Sequence, residues 1–253
     1  TSCFHGFIIR GIGNGKLENV DMMMRECKKE GEETLRQCSH ALGHGFLAYE
    51  GYAHLLEALK LCEDMKGRVP GFFPDFCYNG VFMENIWGLH EGGPSSDRWV
   101  KASDIHYPCD DERIASVEVY LPGCWYNQSI YLNMVFKGDN LKVANECLKV
   151  EDSESKNMCF DAIFRGLNAP SGNNVAMKYK QCDSMPLDWR SKCITTQAGA
   201  AFQQGDNILP LKVCAYANDL ELQRDCYGQM YSLSKYYTNR VGRNEFCMQI
   251  PAG

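Results

Sequence analysis

Residues 174–201 read NVAMKYKQCDSMPLDWRSKCITTQAGAA and contain the pattern that decides the fold. In the first part, up to Cys182, apolar residues recur every three or four positions, which is typical of an amphipathic helix. The turn-rich connector Ser184-Met-Pro186 follows. The second part opens at Cys193 and carries small residues, which let a neighbouring helix approach closely. The segment therefore predicts a helical hairpin, with one cysteine late in its first helix (helix A) and one early in its second (helix B).

The same unit recurs along the chain. The cysteines form two interleaved series, and the series that opens the B helices steps by 35, 39, 47, 35, 34 and 33 residues. Its members are Cys3, Cys38, Cys77, Cys124, Cys159, Cys193 and Cys226. A period of this length indicates stacked two-helix units. The predicted fold is therefore all-α, an αα-hairpin repeat solenoid with 33 to 47 residues per repeat and stapled by disulfides.

One domain is predicted over residues 1–253, with six stapled hairpins and a half-repeat at each end. The longest repeat contains the stretch from Gly88 to Pro108, where glycine, proline, serine and charged residues lengthen the rhythm. We predict a loop insertion there, because insertions in repeat proteins emerge on one face, often the binding face. Since Cys3 and Cys247 fall in half-repeats, we also expect the sequence to fit a piece of a longer chain.

Composition excludes several classes of protein. With 253 residues, 45% hydrophobic and 23% charged, the chain can bury a sizeable core, which excludes a disordered tail or a collagen. The net charge of −6 lacks the basic excess that nucleic acids select, so we expect no nucleic-acid partner. Because no stretch of eighteen or more residues is free of charges and turn signals, we expect no membrane span.

The cysteine content predicts the compartment. Fourteen cysteines are far more than a reduced cytosolic protein of this size usually carries, and they indicate a disulfide framework. No two of them lie within three residues of each other, which excludes Cys-x-x-Cys metal knuckles and redox dithiols. We therefore expect a secreted, periplasmic or cell-surface protein.

Two regular pairing schemes are open. Pairing across the long gaps joins the start of one B helix to the end of the next A helix, and geometry alone does not exclude it. Pairing across the short gaps staples each hairpin to itself, and we favour this scheme. It predicts the bonds Cys27–Cys38, Cys62–Cys77, Cys109–Cys124, Cys147–Cys159, Cys182–Cys193 and Cys214–Cys226.

This layout resembles the tetratricopeptide-like SEL-type repeats, especially the secreted cysteine-rich Hcp group. The residues that carry the resemblance are Cys147 to Cys159 with Ala162 and Gly166, and Ala176 to Cys193 with Ala198 and Gly199. The Hcp group has a shorter and more constant interval between its cysteines. The resemblance implies an extracellular or periplasmic solenoid used for recognition, and it implies no reaction.

In register, the B helices present mostly polar residues at the third position, and the residues one turn later lie on the same face. We predict that this face lines a groove for a protein, peptide or polymer partner, as in a recognition or assembly scaffold. The groove residues are His5, His40, His44, Asn79, Met83, Glu84, Tyr126, Asp161 and Arg165. The alternative is that these are ordinary packing positions between helical layers. A second alternative for the whole chain is self-assembly into an extracellular layer or filament.

Few motifs in the sequence indicate metal binding, catalysis or covalent modification. His40 and His44 stand at i, i+4, a spacing that lets both imidazoles reach one metal, and His5 holds the same repeat position as His40. A zinc- or copper-binding protein or metal-dependent enzyme centred on these three histidines, with Glu84, Glu50 or His90 as further ligands, is therefore an alternative function. We favour hydrogen-bonded histidines, no cofactor and no enzymatic activity. Asn127-Gln-Ser129 is a glycosylation sequon.

Overall fold

The computed structural model of the chain describes residues 12, 19–90, 97–203, 206–237 and 240–250. Over these ranges the protein is all-α and no strand is formed, as predicted. None of the helices in them is both long and apolar enough to cross a membrane. Residue contacts divide the chain into two compact units, where the sequence predicts a single domain. Unit 1 comprises residues 1–138 with 150–159, and unit 2 comprises residues 139–149 with 160–253.

Thirteen helices have both ends within the described ranges and are numbered here in chain order. They are α1 (Val20–Lys29), α2 (Glu32–Glu50), α3 (Leu55–Arg68), α4 (Pro74–His90), α5 (Glu112–Ala115), α6 (Leu121–Val135), α7 (Asn140–Leu148), α8 (Ser153–Ser171), α9 (Val175–Asp183), α10 (Arg190–Gln203), α11 (Leu209–Ala215), α12 (Leu220–Tyr237) and α13 (Arg240–Gln249). Single 3-10 turns at Glu118–Tyr120 and Leu187–Trp189 precede α6 and α10.

Local sequence signals explain where these helices begin. The side chains of Asp139 and Asn174 accept backbone N–H groups in the first turns of α7 and α9, as N-cap residues do. Between α1 and α2 the chain turns at Gly31, whose φ of 114° lies in a region that side chains disfavour. Four amphipathic stretches of the sequence predict A helices, at 17–27, 52–62, 141–147 and 174–182, and they correspond to α1, α3, α7 and α9.

The disulfides follow the short-gap scheme. Five predicted bonds are formed, with Cα–Cα distances between 5.4 and 6.4 Å, and Cys147 and Cys159 are disulfide-bonded as well. The five are Cys27–Cys38, Cys62–Cys77, Cys109–Cys124, Cys182–Cys193 and Cys214–Cys226. The long-gap scheme is therefore wrong for these pairs. Cys247 is exposed with a free thiol, and Cys3 lies outside the described residues.

In unit 1 the B helix α4 packs directly on α2 and on α6. A β-carbon on Gly80 of α4 would lie 2.1 Å from the carbonyl oxygen of His40 on α2, and one on Gly123 of α6 would lie 3.2 Å from the backbone nitrogen of Asn79. Backbones this close leave no room for a side chain. The prediction that small residues allow close helix approach is confirmed at Gly80, the fourth position from Cys77.

In unit 2 the B helices α8 and α10 are joined by a buried side chain. Gln197 is fully buried and its Nε2 donates to the carbonyl oxygen of Phe164 at 2.8 Å. Phe160 stacks on Trp189 with ring centroids 3.8 Å apart. Helix α10 also packs closely on α12, because a β-carbon on Gly199 would lie 2.8 Å from Cδ1 of Leu233. The core of this unit therefore lies between consecutive B helices.

Candidate functional site

A polar network in unit 1 joins α2 to α4. Nδ1 of His44 lies 2.8 Å from the carboxylate oxygen Oε2 of Glu84. Nε2 of His44 lies 3.1 Å from Nε2 of His40, one turn earlier on α2. The hydroxyl of Tyr52, which follows α2, donates to Oε1 of Glu84 at 2.9 Å. These four side chains form one chain of hydrogen bonds, which we name the His–Glu network.

Close packing of the two helices brings this network together. The backbones of α2 and α4 meet where Gly43 faces Cys77 and Gly80 faces His40, and a β-carbon on either glycine would lie 2.1 Å from the carbonyl oxygen opposite. Side chains four residues apart on a helix lie on one face, so Glu84 stands one turn beyond Gly80. Its carboxylate therefore reaches His44 directly across the helix interface.

Arg98, from the predicted insertion, adds a cation to the network. Its Nη1 donates to the carbonyl oxygens of Glu84 at 2.5 Å and Asn85 at 3.0 Å. The guanidinium carbon lies 3.7 Å from the ring centroid of Tyr52, within cation–π distance. Burial and the hydrogen bond to Glu84 raise the pKa of Tyr52, and Arg98 opposes this rise. Tyr52 therefore stays protonated at neutral pH and donates to Glu84.

The described part of the insertion is pinned to the helices. Nδ2 of the buried Asn85 donates to the carbonyl oxygen of Trp99 at 2.9 Å, and Oδ1 of Asn85 accepts from the backbone N–H of Trp99 at 2.9 Å. The indole Nε1 of Trp99 donates to the carbonyl oxygen of Ala53 at 2.9 Å. Helix α4 continues to His90, so the first residues of the predicted loop, from Gly88, are helical instead.

An aromatic stack on the insertion carries two more cations. Trp99 stacks on Tyr107 with ring centroids 5.7 Å apart and an interplanar angle of 16°. Nζ of Lys101 lies 3.6 Å from the Tyr107 ring centroid, and the guanidinium carbon of Arg113 lies 4.3 Å from that of Trp99. Both cationic residues are exposed. Arg113, which follows the insertion, is also paired with the Asp111 carboxylate through two hydrogen bonds of 2.8 Å, so Lys101 and this ion pair flank the aromatic stack.

Three of the predicted groove residues, His40, His44 and Glu84, come together in this way. In the same unit Asn79, Met83 and Tyr126 are half-buried. The carbonyl oxygen of Asn79 accepts a hydrogen bond from the side chain of Asn127 on α6, the next B helix. This contact agrees with the alternative prediction that these residues pack between helical layers. A continuous polar groove in this unit stays a prediction.

The other predicted groove residues lie elsewhere. Asp161 and Arg165 are an ion pair one turn apart on α8, with Nε 2.6 Å from Oδ2. His5 lies outside the described residues, and so does the side chain of His90. Among the described side chains, no group of three or more His, Cys, Asp and Glu residues is placed to hold a metal ion. The three-histidine centre therefore stays a prediction.

The candidate glycosylation site at Asn127 is buried in the folded protein. Asn127 is fully buried, and its Nδ2, the atom to which a glycan would be attached, donates to the carbonyl oxygens of Asn79 at 3.1 Å and Gly123 at 2.9 Å. The sequon falls in α6, where the backbone of the neighbouring helix covers it. A glycan there has no space, and the side chain serves instead to join α6 to α4.

Sequence reasoning missed several residues of the site. Tyr52 begins a stretch that predicts an A helix, and Arg98 and Trp99 lie inside the predicted insertion, where their only signal is an arginine–aromatic pair. In unit 2 it also missed Lys178, which is 1% exposed and donates to Ser171 Oγ and Gln197 Oε1 at 3.1 Å each. Burial lowers the pKa of Lys178. The sequence did contain a sign that Lys178 is buried, because it lies four residues before Cys182 and therefore on the same face of the helix.

Comparison with known proteins finds no relative. No protein-family model matches the chain. Neither a curated protein nor a solved structure matches it. The chain is thus a disulfide-rich helical protein, and its resemblance to the Hcp group stays a prediction.

Proposed function

We propose that this protein is a secreted or periplasmic recognition module built from αα-hairpin repeats. It binds a protein, peptide or polymer partner on a face of unit 1, which consists of the His–Glu network and the pinned insertion from residue 97 to 108. The observation that carries the proposal is the anchoring of this insertion through Asn85 and Trp99, whose hydrogen bonds hold the loop in one place.

The repeat architecture is supported by equivalent contacts in unit 1. Helices α2, α4 and α6 each begin beside a disulfide to the segment before them, and each packs a glycine against the backbone of its neighbour. Stacked units of this kind form a repeat array in which equivalent positions recur along one surface. The His–Glu network joins α2 and α4 of this array, and Asn85 of α4 holds the insertion.

The binding role is supported by preorganisation. A partner that binds a flexible loop must order it, and this ordering reduces the affinity. Here Arg98 and Trp99 are already held, while His40 and Glu84 remain partly exposed. The face offers imidazole, carboxylate and phenol groups beside cations, a mixture that suits the polar backbone of a peptide or polymer better than an apolar ligand.

The compartment is supported by the disulfides. Twelve cysteines are bonded, and a framework of this size is typical of proteins that fold in an oxidising environment. Secretion or a periplasmic location follows as part of the proposal.

A displayed random-peptide library, selected on the purified protein, tests the binding face. We expect selected peptides to lose at least about tenfold in affinity with His40→Ala or Arg98→Ala, since a lost charge-assisted contact costs about 1.5–3 kcal/mol. His54→Ala, a matched change of an exposed imidazole outside the network, should leave the affinity unchanged. Peptides that bind all three variants as tightly as the unmodified protein would show that this face is not the binding site.

A further inference from the structure

We propose that His40 and His44 form a two-ligand site for a divalent transition-metal ion such as zinc, nickel or copper. The two imidazoles lie one turn apart on α2, and their Nε2 atoms point at each other across 3.1 Å. Both atoms belong to the ligand class that these ions prefer in proteins. This site does not depend on the proposed recognition function, because it requires no partner molecule.

The separation of the two nitrogens suits a shared ion. Two imidazole nitrogens at about 2.0–2.1 Å from one metal are about 2.9 Å apart when the ligand angle is 90° and about 3.4 Å apart when it is tetrahedral. The observed 3.1 Å lies between these limits. An ion that binds between the two rings takes the place of the proton on Nε2 of His40. In neutral His40 that proton moves through solvent to Nδ1 of the same ring, so both imidazoles bind the ion as neutral ligands.

Glu84 holds one of the two ligands in the state that binds metal. In neutral His44, the Nδ1–H group donates to the Glu84 carboxylate at 2.8 Å, so Nε2 carries the lone pair and faces His40. A carboxylate on the far nitrogen of a metal-binding histidine fixes the ring orientation and raises its basicity. Tyr52 holds the second carboxylate oxygen, so Glu84 is itself fixed in place.

The site is accessible on one side. His44 is buried, whereas His40 is half-buried and stands on the partly exposed face of α2. Because the proposed site uses two protein ligands, the ion keeps coordination positions for water or for a donor from another molecule. The class of ligand that completes such a site is a carboxylate, an imidazole or another nitrogen or oxygen donor.

Isothermal titration with Ni²⁺ and, separately, Zn²⁺ tests the site on the full chain purified without an affinity tag. All proteins carry Cys3→Ser and Cys247→Ser, because the exposed thiol of Cys247 is a competing zinc ligand. We expect one ion per chain and a loss of at least tenfold in affinity with His40→Ala. Glu84→Gln should weaken binding about 10–100-fold, as loss of an outer-shell partner does. The control His54→Ala changes an exposed imidazole that lies 3.8 Å from Glu57, and it should bind as before.

His40 is the decisive position because it is half-buried, whereas replacing the buried His44 also perturbs the fold. Thermal unfolding of each metal-free variant tests whether His40→Ala and Glu84→Gln remain folded. Equal affinity for Ni²⁺ in the His40→Ala variant and the parent would overturn the proposal. The absence of binding by the parent at millimolar ion would overturn it as well, and the imidazole pair would then be a hydrogen-bonded structural contact.

Discussion

Adding one methyl group at Gly80 should destabilise unit 1. In Gly80→Ala, the new β-carbon would lie 2.1 Å from the carbonyl oxygen of His40, while real β-carbon contacts do not fall below 3.0 Å. The helices α2 and α4 must therefore separate by about 0.9 Å at this point. The obstacle is backbone, which cannot rotate away as the end of a side chain does.

The expected cost follows from two opposing effects. Overpacking a well-packed interface costs about 1–3 kcal/mol, and a rigid backbone obstacle favours the upper part of this range. Alanine in place of a helical glycine returns roughly 0.5–1 kcal/mol. We expect a net loss of about 2 kcal/mol, which lowers the melting temperature by about 4–8 °C in a protein of this size.

The same separation should damage the His–Glu network. The contact between His44 and Glu84 is 2.8 Å long and lies one turn from Gly80. Lengthening it by a comparable amount exceeds the range of a hydrogen bond. We therefore expect the imidazole resonances of His44 in an NMR spectrum to shift in Gly80→Ala, together with the loss of stability.

The chain supplies a matched control. Gly166, in α8, has no atom within 4 Å of the position that a β-carbon would take, so Gly166→Ala should raise stability by about 0.5–1 kcal/mol. Circular dichroism during urea and thermal unfolding measures both variants against the parent. If Gly80→Ala unfolds at or above the parent's temperature, the close backbone contact between α2 and α4 does not exist as described.

Three further predictions concern the insertion, the disulfides and pH. Asn85→Ala removes both hydrogen bonds to the Trp99 backbone, so amide hydrogen exchange over residues 97–108 should accelerate while α9 and α10 are unaffected; unchanged exchange would show that the insertion is held by other contacts. Replacing Cys182 and Cys193 together by serine opens a loop of sequence separation 11, and the free energy of unfolding should fall by about 2–5 kcal/mol; an unchanged value would contradict the bond. Burial, reinforced by Glu63 and Asp75, raises the pKa of Tyr78 from 10.0 to about 12. The folded state therefore holds that proton more tightly, and stability present below pH 10 is lost as the pH rises to 12. Tyr78→Phe should flatten this alkaline loss in pH-dependent urea unfolding, and an equally steep loss would refute the assignment.

The sequence by itself was sufficient for the all-α fold, and it favoured the disulfide pairing that the structure confirmed over one alternative. Both depend on local information. Apolar residues at intervals of three and four define an amphipathic helix, and a cysteine on each side of a short connector can meet within one hairpin, as Cys182 and Cys193 do. The residue type at Gly80 also carried usable information, because a small residue at a recurring helix position signals close approach.

Tertiary structure decided the rest, because the site depends on which side chains meet across the helix interface. His40 and His44 were identifiable from their spacing, but only the packing of α2 on α4 places Glu84 on His44. Arg98 and Trp99 are far from these residues in the chain, and no periodicity marks them. The burial of Asn127 likewise depends on the backbone of a neighbouring helix. The sequence alone therefore does not distinguish an exposed sequon from one whose asparagine is buried between two helices. Long-range contacts of this kind are set by the whole chain at once, whereas a helix or a hairpin staple is set by the residues within it.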